Sequence, residues 1–401
     1  MSSPALPVPA ALGRLERLAL AGGGVFLLAT LAGLALDREQ FFRSWLFAFL
    51  FWLGFGVGSL GLALLNQLTG GLWGAVPRRF HEAAARTIPY MALAFLPVLL
   101  GATSLYPWAG PAAAADELLR RKAAYLNLPF FALRAGVYFV VWGVLGHLLS
   151  AWSARQDERH DEAAAGRLRG LSGVGLVVLS ATTTFAAIDW GMSLAPHWFS
   201  TIYGVLFIVG WTLSALAFTI VLLANLAGEP PFDAALRPVT VHDLGKLLLA
   251  FTMLWAYVNF SQFLIIWSGN ISEETPFYVR RLQGGWQLVA IALLVFHFAL
   301  PFALLLSRPL KRNARSLAAV AWLMLAMQLL DLYWLIAPDL LGRDSLTLPL
   351  RAHWLDLTAV LGVGGFWLYL FARQARARAV LPLGDPEVRA LLATPARAEA
   401  H

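Results

Sequence analysis

Six ionisable residues stand at or near the ends of long apolar runs in which little else is charged: Asp189, His197, Asp331, His353, Asp356 and Arg134. Carboxylates and imidazoles take up and release protons within the physiological range, so these side chains point to proton transfer or to the anchoring of a polar ligand. Their setting makes them expensive. An Asp at the centre of an inserted helix costs roughly 2.5 to 3.5 kcal/mol on insertion scales, less where interfacial water reaches it. Asp189 and His197 bracket the segment Trp190 to Pro196 between two apolar runs, which a wet loop explains as well as a site does. His353 and Asp356 are three apart, so on a helix their side chains can meet and the carboxylate can favour the protonated ring. An acidic first turn at a helix start accounts for the same pair. Arg134 shares a helical face with Tyr138, four residues on, and a cation there needs a carboxylate partner.

These groups must be positioned by membrane-spanning helices. Hydrophobic residues make up 59% of the 401 positions and charged residues 13%, with a mean hydropathy of +0.67, more apolar surface than one soluble core can hide. Ten apolar runs are long enough to cross the hydrocarbon layer, near 18–36, 41–65, 83–104, 126–150, 171–188, 201–226, 244–268, 285–307, 317–337 and 353–373. Strand-length alternation is absent and lipid cannot satisfy an open backbone, so the fold class is an all-α polytopic membrane protein. Residues 1–16 form an N-terminal segment, 17–373 one ten-helix domain, and 374–401 a polar, partly disordered tail. Met1 to Pro9 lacks the positive start of a cleavable signal, so the first run reads as an uncleaved anchor.

The net charge of +7 is spread between spans rather than gathered into a nucleic-acid face, and it reads as topology. With the N-terminus cytoplasmic, about 20 Lys and Arg fall on inner segments and about nine on outer ones, which favours both termini inside. Arg78, Arg79, Arg308, Lys311, Arg312, Arg373, Arg376 and Arg378 are then solvated, snorkelling anchors. In that orientation Asp189 closes the fifth span, His197 precedes the sixth, Asp331 lies in the outer third of the ninth, and His353 and Asp356 open the tenth. All five gather on the outer side. Within the spans, Thr252, Asn259 and Gln262 share one face of the seventh, Thr182 and Asp189 share one face of the fifth with Thr183 beside them, and His297 lies mid-way along the eighth. Together they can relay protons through trapped water; singly, each also fits interhelical glue of about 0.6 kcal/mol per contact.

The spacing also hints at duplication. Asp189 precedes Pro196 as Asp331 precedes Pro338, and His197-Trp198 and His353-Trp354 follow. Asp116-Glu117 before Arg120-Arg121 parallels Glu273-Glu274 before Arg280-Arg281. An offset of four helices preserves orientation, so 41–190 and 198–338 read as parallel repeats, each a four-helix bundle.

The string Asp189-Trp190-Gly191-Met192-Ser193-Leu194-Ala195-Pro196-His197-Trp198-Phe199-Ser200-Thr201 resembles the ActF-type membrane subunits of alternative complex III, bacterial quinol:cytochrome c oxidoreductases within the wider NrfD-like polysulfide-reductase family. Tyr125-Leu126-Asn127-Leu128-Pro129-Phe130-Phe131 with Arg134, His242-Asp243-Leu244-Gly245-Lys246, and the run from Phe260 to Trp267 followed by Asn270 and Glu273-Glu274 agree in order. The resemblance covers roughly residues 68–371. It implies two four-helix bundles flanked by peripheral helices, a bacterial cytoplasmic membrane, and partners comprising a paralogous membrane subunit, an iron–sulfur subunit and heme c subunits. Many relatives carry His three residues before the Asp matched by Asp331, where this chain has Gln328. Quinol or menaquinol is the implied substrate, with Asp189, Asp331, His353 and Asp356 handling protons and Arg134, Tyr138 and His197 binding substrate. Thr182, Thr183, Asn259, Gln262 and His297 form the candidate proton path.

With no cysteine the chain carries no disulfide, thiolate nucleophile or iron–sulfur cluster, and no metal ligand set is evident. The expectation is that it binds no cofactor itself and that heme c and iron–sulfur clusters sit in partner subunits. Two other classes stay open: a proton-coupled secondary transporter, and a chemically inert anchor for extrinsic redox subunits. A diheme cytochrome b is disfavoured because His297 has no facing mate at its depth. The charge bias makes a direct prediction: a reporter fused after Arg378 is active in its cytoplasmic form and silent in its periplasmic form, and the opposite result overturns the assigned orientation.

Overall fold

The computed structural model describes residues 7–158, 162–341 and 349–394. Among them are ten helices long and apolar enough to cross a membrane. They are α1 (Ala10–Leu36), α2 (Arg38–Thr69), α3 (Arg78–Leu100), α4 (Leu128–Glu158), α5 (Glu162–Trp190), α6 (Tyr203–Leu226), α7 (Pro238–Gly269), α8 (Trp286–Leu306), α9 (Ala314–Leu341) and α10 (Trp354–Arg376). No strand occurs among the described residues. The chain is an all-α, multi-pass membrane protein, one helix for each apolar run. Pro89 and Pro97 remove backbone donors, so α3 is built from three stacked segments, Arg78–Ala85, Ile88–Ala94 and Leu96–Leu100.

Helices α2 to α5 pack in a ring, α6 to α9 pack in a second ring, and α2 against α6 joins the two. Helices α1 and α10 pair with each other and lie on the flank of α2. The seam is the core: the apolar windows of α2 and α6 are 83% and 78% buried, against 22% to 61% in the other eight. Lipid tails are as apolar as Leu, so close packing rather than water exclusion holds such helices together. Glycines permit it. A Cβ on Gly58 would lie 2.2 Å from the Trp211 carbonyl oxygen, and one on Gly54 would lie 2.3 Å from the Trp211 ring. At the flank, a Cβ on Gly365 would lie 2.1 Å from the Gly23 Cα.

The end where the odd-numbered helices finish, the upper end, carries Asp189. At the lower end two expectations are corrected. Arg78 and Arg79 are buried rather than solvated, because α3 begins earlier than its apolar run and draws both into ion pairs. Arg78 bonds Asp385 at 2.7 Å, while Arg79 bonds Glu82 at 2.7 Å and also Asp157. The tail is packed through residue 394, with a short helix at Pro386–Ala393. Val380, Leu381 and Val388 are buried, Gly384 donates to Asp157 Oδ1 at 2.7 Å, and Arg237 at the start of α7 donates to the Leu391 and Thr394 carbonyls. Residues 374–394 therefore strap both bundles, while 395–401 lie outside the described residues.

The glycine contact at the flank yields a prediction. Gly365→Val should lower stability by about 1 to 3 kcal/mol through overpacking, read as a lower thermal midpoint in detergent. Gly24→Val, whose Cβ meets nothing within 4 Å, should leave the midpoint in place. Equal midpoints in the two variants would show that α1 and α10 do not pack as described.

Candidate functional site

Asp189 is fully buried one residue before the end of α5. Arg134 approaches from α4 in a fork: Nε donates to Asp189 Oδ2 at 2.8 Å and a terminal nitrogen to Oδ1 at 2.9 Å. Tyr138 donates to Oδ2 at 2.7 Å. Arg134 gives a further bond to the Tyr125 carbonyl at 2.8 Å, and its guanidinium lies 3.8 Å from the Tyr125 ring centre and 4.4 Å from that of Phe130. Burial pushes the Tyr125 phenol up to about 12. The carboxylate that Arg134 requires is thus Asp189, and both its oxygens are taken. Every bond in this arrangement is internal to the chain, which is the geometry of a structural clamp joining α4 to the end of α5.

A second clamp sits in the other bundle. Arg281, fully buried in the helix Pro276–Arg281, donates to Asp339 Oδ2 at 2.5 Å, and Arg280 reaches Oδ1 at 3.4 Å. Pro338 inside α9 has no N–H to offer the Trp334 carbonyl four residues back. Arg281 supplies it, from Nε at 3.1 Å, and bonds the Leu335 carbonyl at 2.6 Å. Its guanidinium stacks 3.5 Å from the Phe277 ring centre. Asp189 near the end of α5 therefore corresponds to Asp339 near the end of α9, not to Asp331. Asp339 lies eight residues beyond Asp331, which falls ten residues before the end of α9, deeper than expected because that helix runs on to Leu341.

The His353 and Asp356 side chains meet the backbone rather than each other. The His353 N–H donates to Asp356 Oδ2 at 2.9 Å, and His353 Nδ1 accepts from the Leu355 N–H at 3.2 Å, a reciprocal cap on α10. Asp356 Oδ1 accepts from Ser44 at 2.5 Å and Gln40 at 3.1 Å, which ties α10 to α2. The expected imidazole–carboxylate proton acceptor is not formed, because helix capping uses both groups first. His197 is largely exposed and lies 2.8 Å from Asp116 on the α3–α4 connection. The Leu119 N–H, aided by His197 and the Leu118 N–H against partial desolvation, holds the Asp116 carboxyl below its usual range.

Asp331 differs from all of these. Only Oδ2 is bonded, to the Trp255 indole at 3.0 Å, and Oδ1 has no partner among the described residues. It lines a cavity of about 790 Å³ between α7, α8 and α9, walled by aromatic and aliphatic side chains, with polar groups from Tyr257, Asn259, Tyr278 and Gln287. Tyr257, Phe260, Ile291 and Leu294 of its lining are exposed on the outside of the bundle, so the cavity opens sideways to lipid. Burial pushes the Tyr278 phenol, just outside the spans, up to about 12. It therefore stays a neutral donor.

Behind this groove, the Trp255 ring packs 3.9 Å from that of His297. His297 is fully buried, with Nε2 2.9 Å from the Gln328 amide and Nδ1 unpartnered. It lies on a π-bulge, Leu293–Ala299, just before Pro301, which cannot donate to the 297 carbonyl. The candidate proton path divides. Asn259 lines the groove with Asp331, donating to the Trp255 carbonyl at 3.0 Å, His297 lies behind it, and Gln262 links Ser200 at 3.0 Å with Tyr278 at 3.4 Å. Thr182 accepts from Trp142 at 2.8 Å, while Thr183, its hydroxyl buried and unpartnered, lines a separate cavity of about 150 Å³ at the bundle seam.

Sequence reasoning missed Arg281, Asp339, Trp255 and Gln328 as partners. Arg280-Arg281 and Pro338-Asp339 were legible signals, but only a helix running through Pro338 reveals the carbonyl that needs Arg281. Among the described residues no group of three or more His, Cys, Asp or Glu is placed to hold a metal ion. No protein-family model matches the chain, and no curated protein matches it.

The first clamp gives a stability prediction. Arg134→Gln or Asp189→Asn leaves a buried charge without its partner, which should cost about 3 to 5 kcal/mol and appear as lost folded yield and a lower thermal midpoint. Wild-type stability in Asp189→Asn would show that the pair does not hold the bundle end.

Proposed function

We propose that this chain is a membrane subunit of a bacterial quinol:cytochrome c oxidoreductase of the alternative complex III type, and that the groove between α7, α8 and α9 binds quinol and takes its protons. The observation that carries the reading is the free Asp331 Oδ1 on a laterally open, apolar cavity. A quinol is an amphiphile dissolved in lipid, so its site needs a sideways entrance, an apolar wall for ring and tail, and a few polar groups for the hydroxyls. Its oxidation releases two electrons and two protons. Asp331 accepts a hydroxyl proton, and the buried His297 imidazole behind Trp255 is a further group able to take one up. The electrons pass to iron–sulfur and heme c centres of partner subunits, alongside a paralogous membrane subunit. Both termini lie in the cytoplasm by the charge bias. The sequence string from Asp189 to Thr201 supports the same family.

One observation favours a second reading. Ten helical residues place Asp331 about 15 Å from the end of α9, near mid-bilayer, where proton-coupled transporters bind their substrates. Substrate uptake into vesicles by the chain without redox partners would decide for that alternative.

Asp331→Asn keeps an acceptor for the Trp255 N–H, so the complex should assemble, while quinol oxidation per assembled complex falls about ten-fold or more. His353→Gln, a cap residue, should oxidise quinol at close to the wild-type rate. Wild-type turnover in Asp331→Asn sinks the proposal.

A further inference from the structure

Several cations at the lower end find carboxylates inside the chain: Arg78 with Asp385, Arg79 with Glu82 and Asp157, Arg376 with Glu16. The turn between α8 and α9 does not follow this pattern. Arg308, Lys311, Arg312 and Arg315 lie within eight residues, and none forms a salt bridge among the described residues. The helix Arg308–Arg312 packs against the first turns of α7. There His242 is within electrostatic reach of Lys246, Lys311 and Arg308, and among the described residues the one carboxylate bonded to any of these cations is Asp243, 3.0 Å from Lys246.

Two details mark a built site rather than a loose charge run. Lys311 is only 8% exposed although no carboxylate among the described residues draws it in. Its stem lies over Gly245, where a Cβ would sit 2.8 Å from the Lys311 Cγ, so the glycine keeps a slot in α7 for it. Beside the cluster, Leu306 at the end of α8 and Val239 at the start of α7 are exposed on the outside of the bundle. Cations at a span end next to outward apolar side chains match a phosphate headgroup with acyl chains below it.

We infer that an acidic phospholipid binds here, its phosphate held by Lys311 and Arg308 with Arg312 close by, and its chains lying against Leu306 and Val239. Free phosphate shares the headgroup chemistry but has no use for the apolar wall. The inference does not depend on the quinol reading and concerns the opposite end of the protein from the clamps.

The test is native mass spectrometry of the full chain released from micelles containing phosphatidylglycerol or phosphatidylcholine. The wild type should retain phosphatidylglycerol in preference, with retention falling at high salt. Arg308→Gln with Lys311→Gln should weaken that retention by about five-fold for each charge removed, whereas Arg120→Gln with Arg121→Gln at the upper end should not. Equal retention of the two lipids, or full retention by the Arg308 and Lys311 variant, overturns the inference. So does displacement of the lipid by millimolar inorganic phosphate, which would mark a free-anion site. If the variant fails to fold, the lipid preference and salt dependence of the wild type still decide the matter.

Discussion

Inside a bilayer no water can solvate a charge that misses its partner, and the upper end of this protein is organised around that constraint. Arg134 with Asp189 and Arg281 with Asp339 each join a guanidinium to a carboxylate where a bundle's last helix ends. Each guanidinium is sandwiched by an aromatic ring and bonded to backbone carbonyls, so its desolvation is offset by several directed contacts rather than by one pair. Arg281 also repairs the break in the backbone ladder at Pro338, which lets α9 continue as one helix past the groove.

The clamps are useful because the rest of the assembly has little else to fix it in place. Packing in lipid depends on contact, and contact at the seam depends on Gly54 and Gly58 admitting Trp211. The tail strap ties the lower ends of both bundles through Arg78, Arg237 and Asp157. Between these fixed ends, α7, α8 and α9 keep a cavity that adjacent helices would otherwise close by sliding together. The π-bulge of α8 turns His297 inward behind it.

Within that frame the carboxylates divide by what their oxygens do. Asp189, Asp339 and Asp356 spend both on partners and act as fasteners. Asp331 spends one, on Trp255, and keeps the other for the groove. A group with an unused acceptor beside lipid-accessible space is available to a ligand in a way that a saturated one is not. This distinction, more than depth or charge, singles it out.

The ten spans and the helical class were legible in the sequence, because span length and apolar content depend only on bilayer thickness and on local composition. So was the need of Arg134 for a carboxylate. Which carboxylate answers was not: Asp189 and Asp331 look alike by their spacing to Pro196 and Pro338, yet one is clamped and the other open. His353 and Asp356 are the right distance apart for a titrating pair, but the start of α10 needs its N–H groups capped, and that local demand takes both side chains. Gln328 and His297, 31 residues apart, meet only because α8 and α9 pack side by side. Residue type and spacing determined which groups could ionise and which helix would carry them. Only the packed helices decided which of those groups are paired, since partners come from segments the chain brings together after each span has formed.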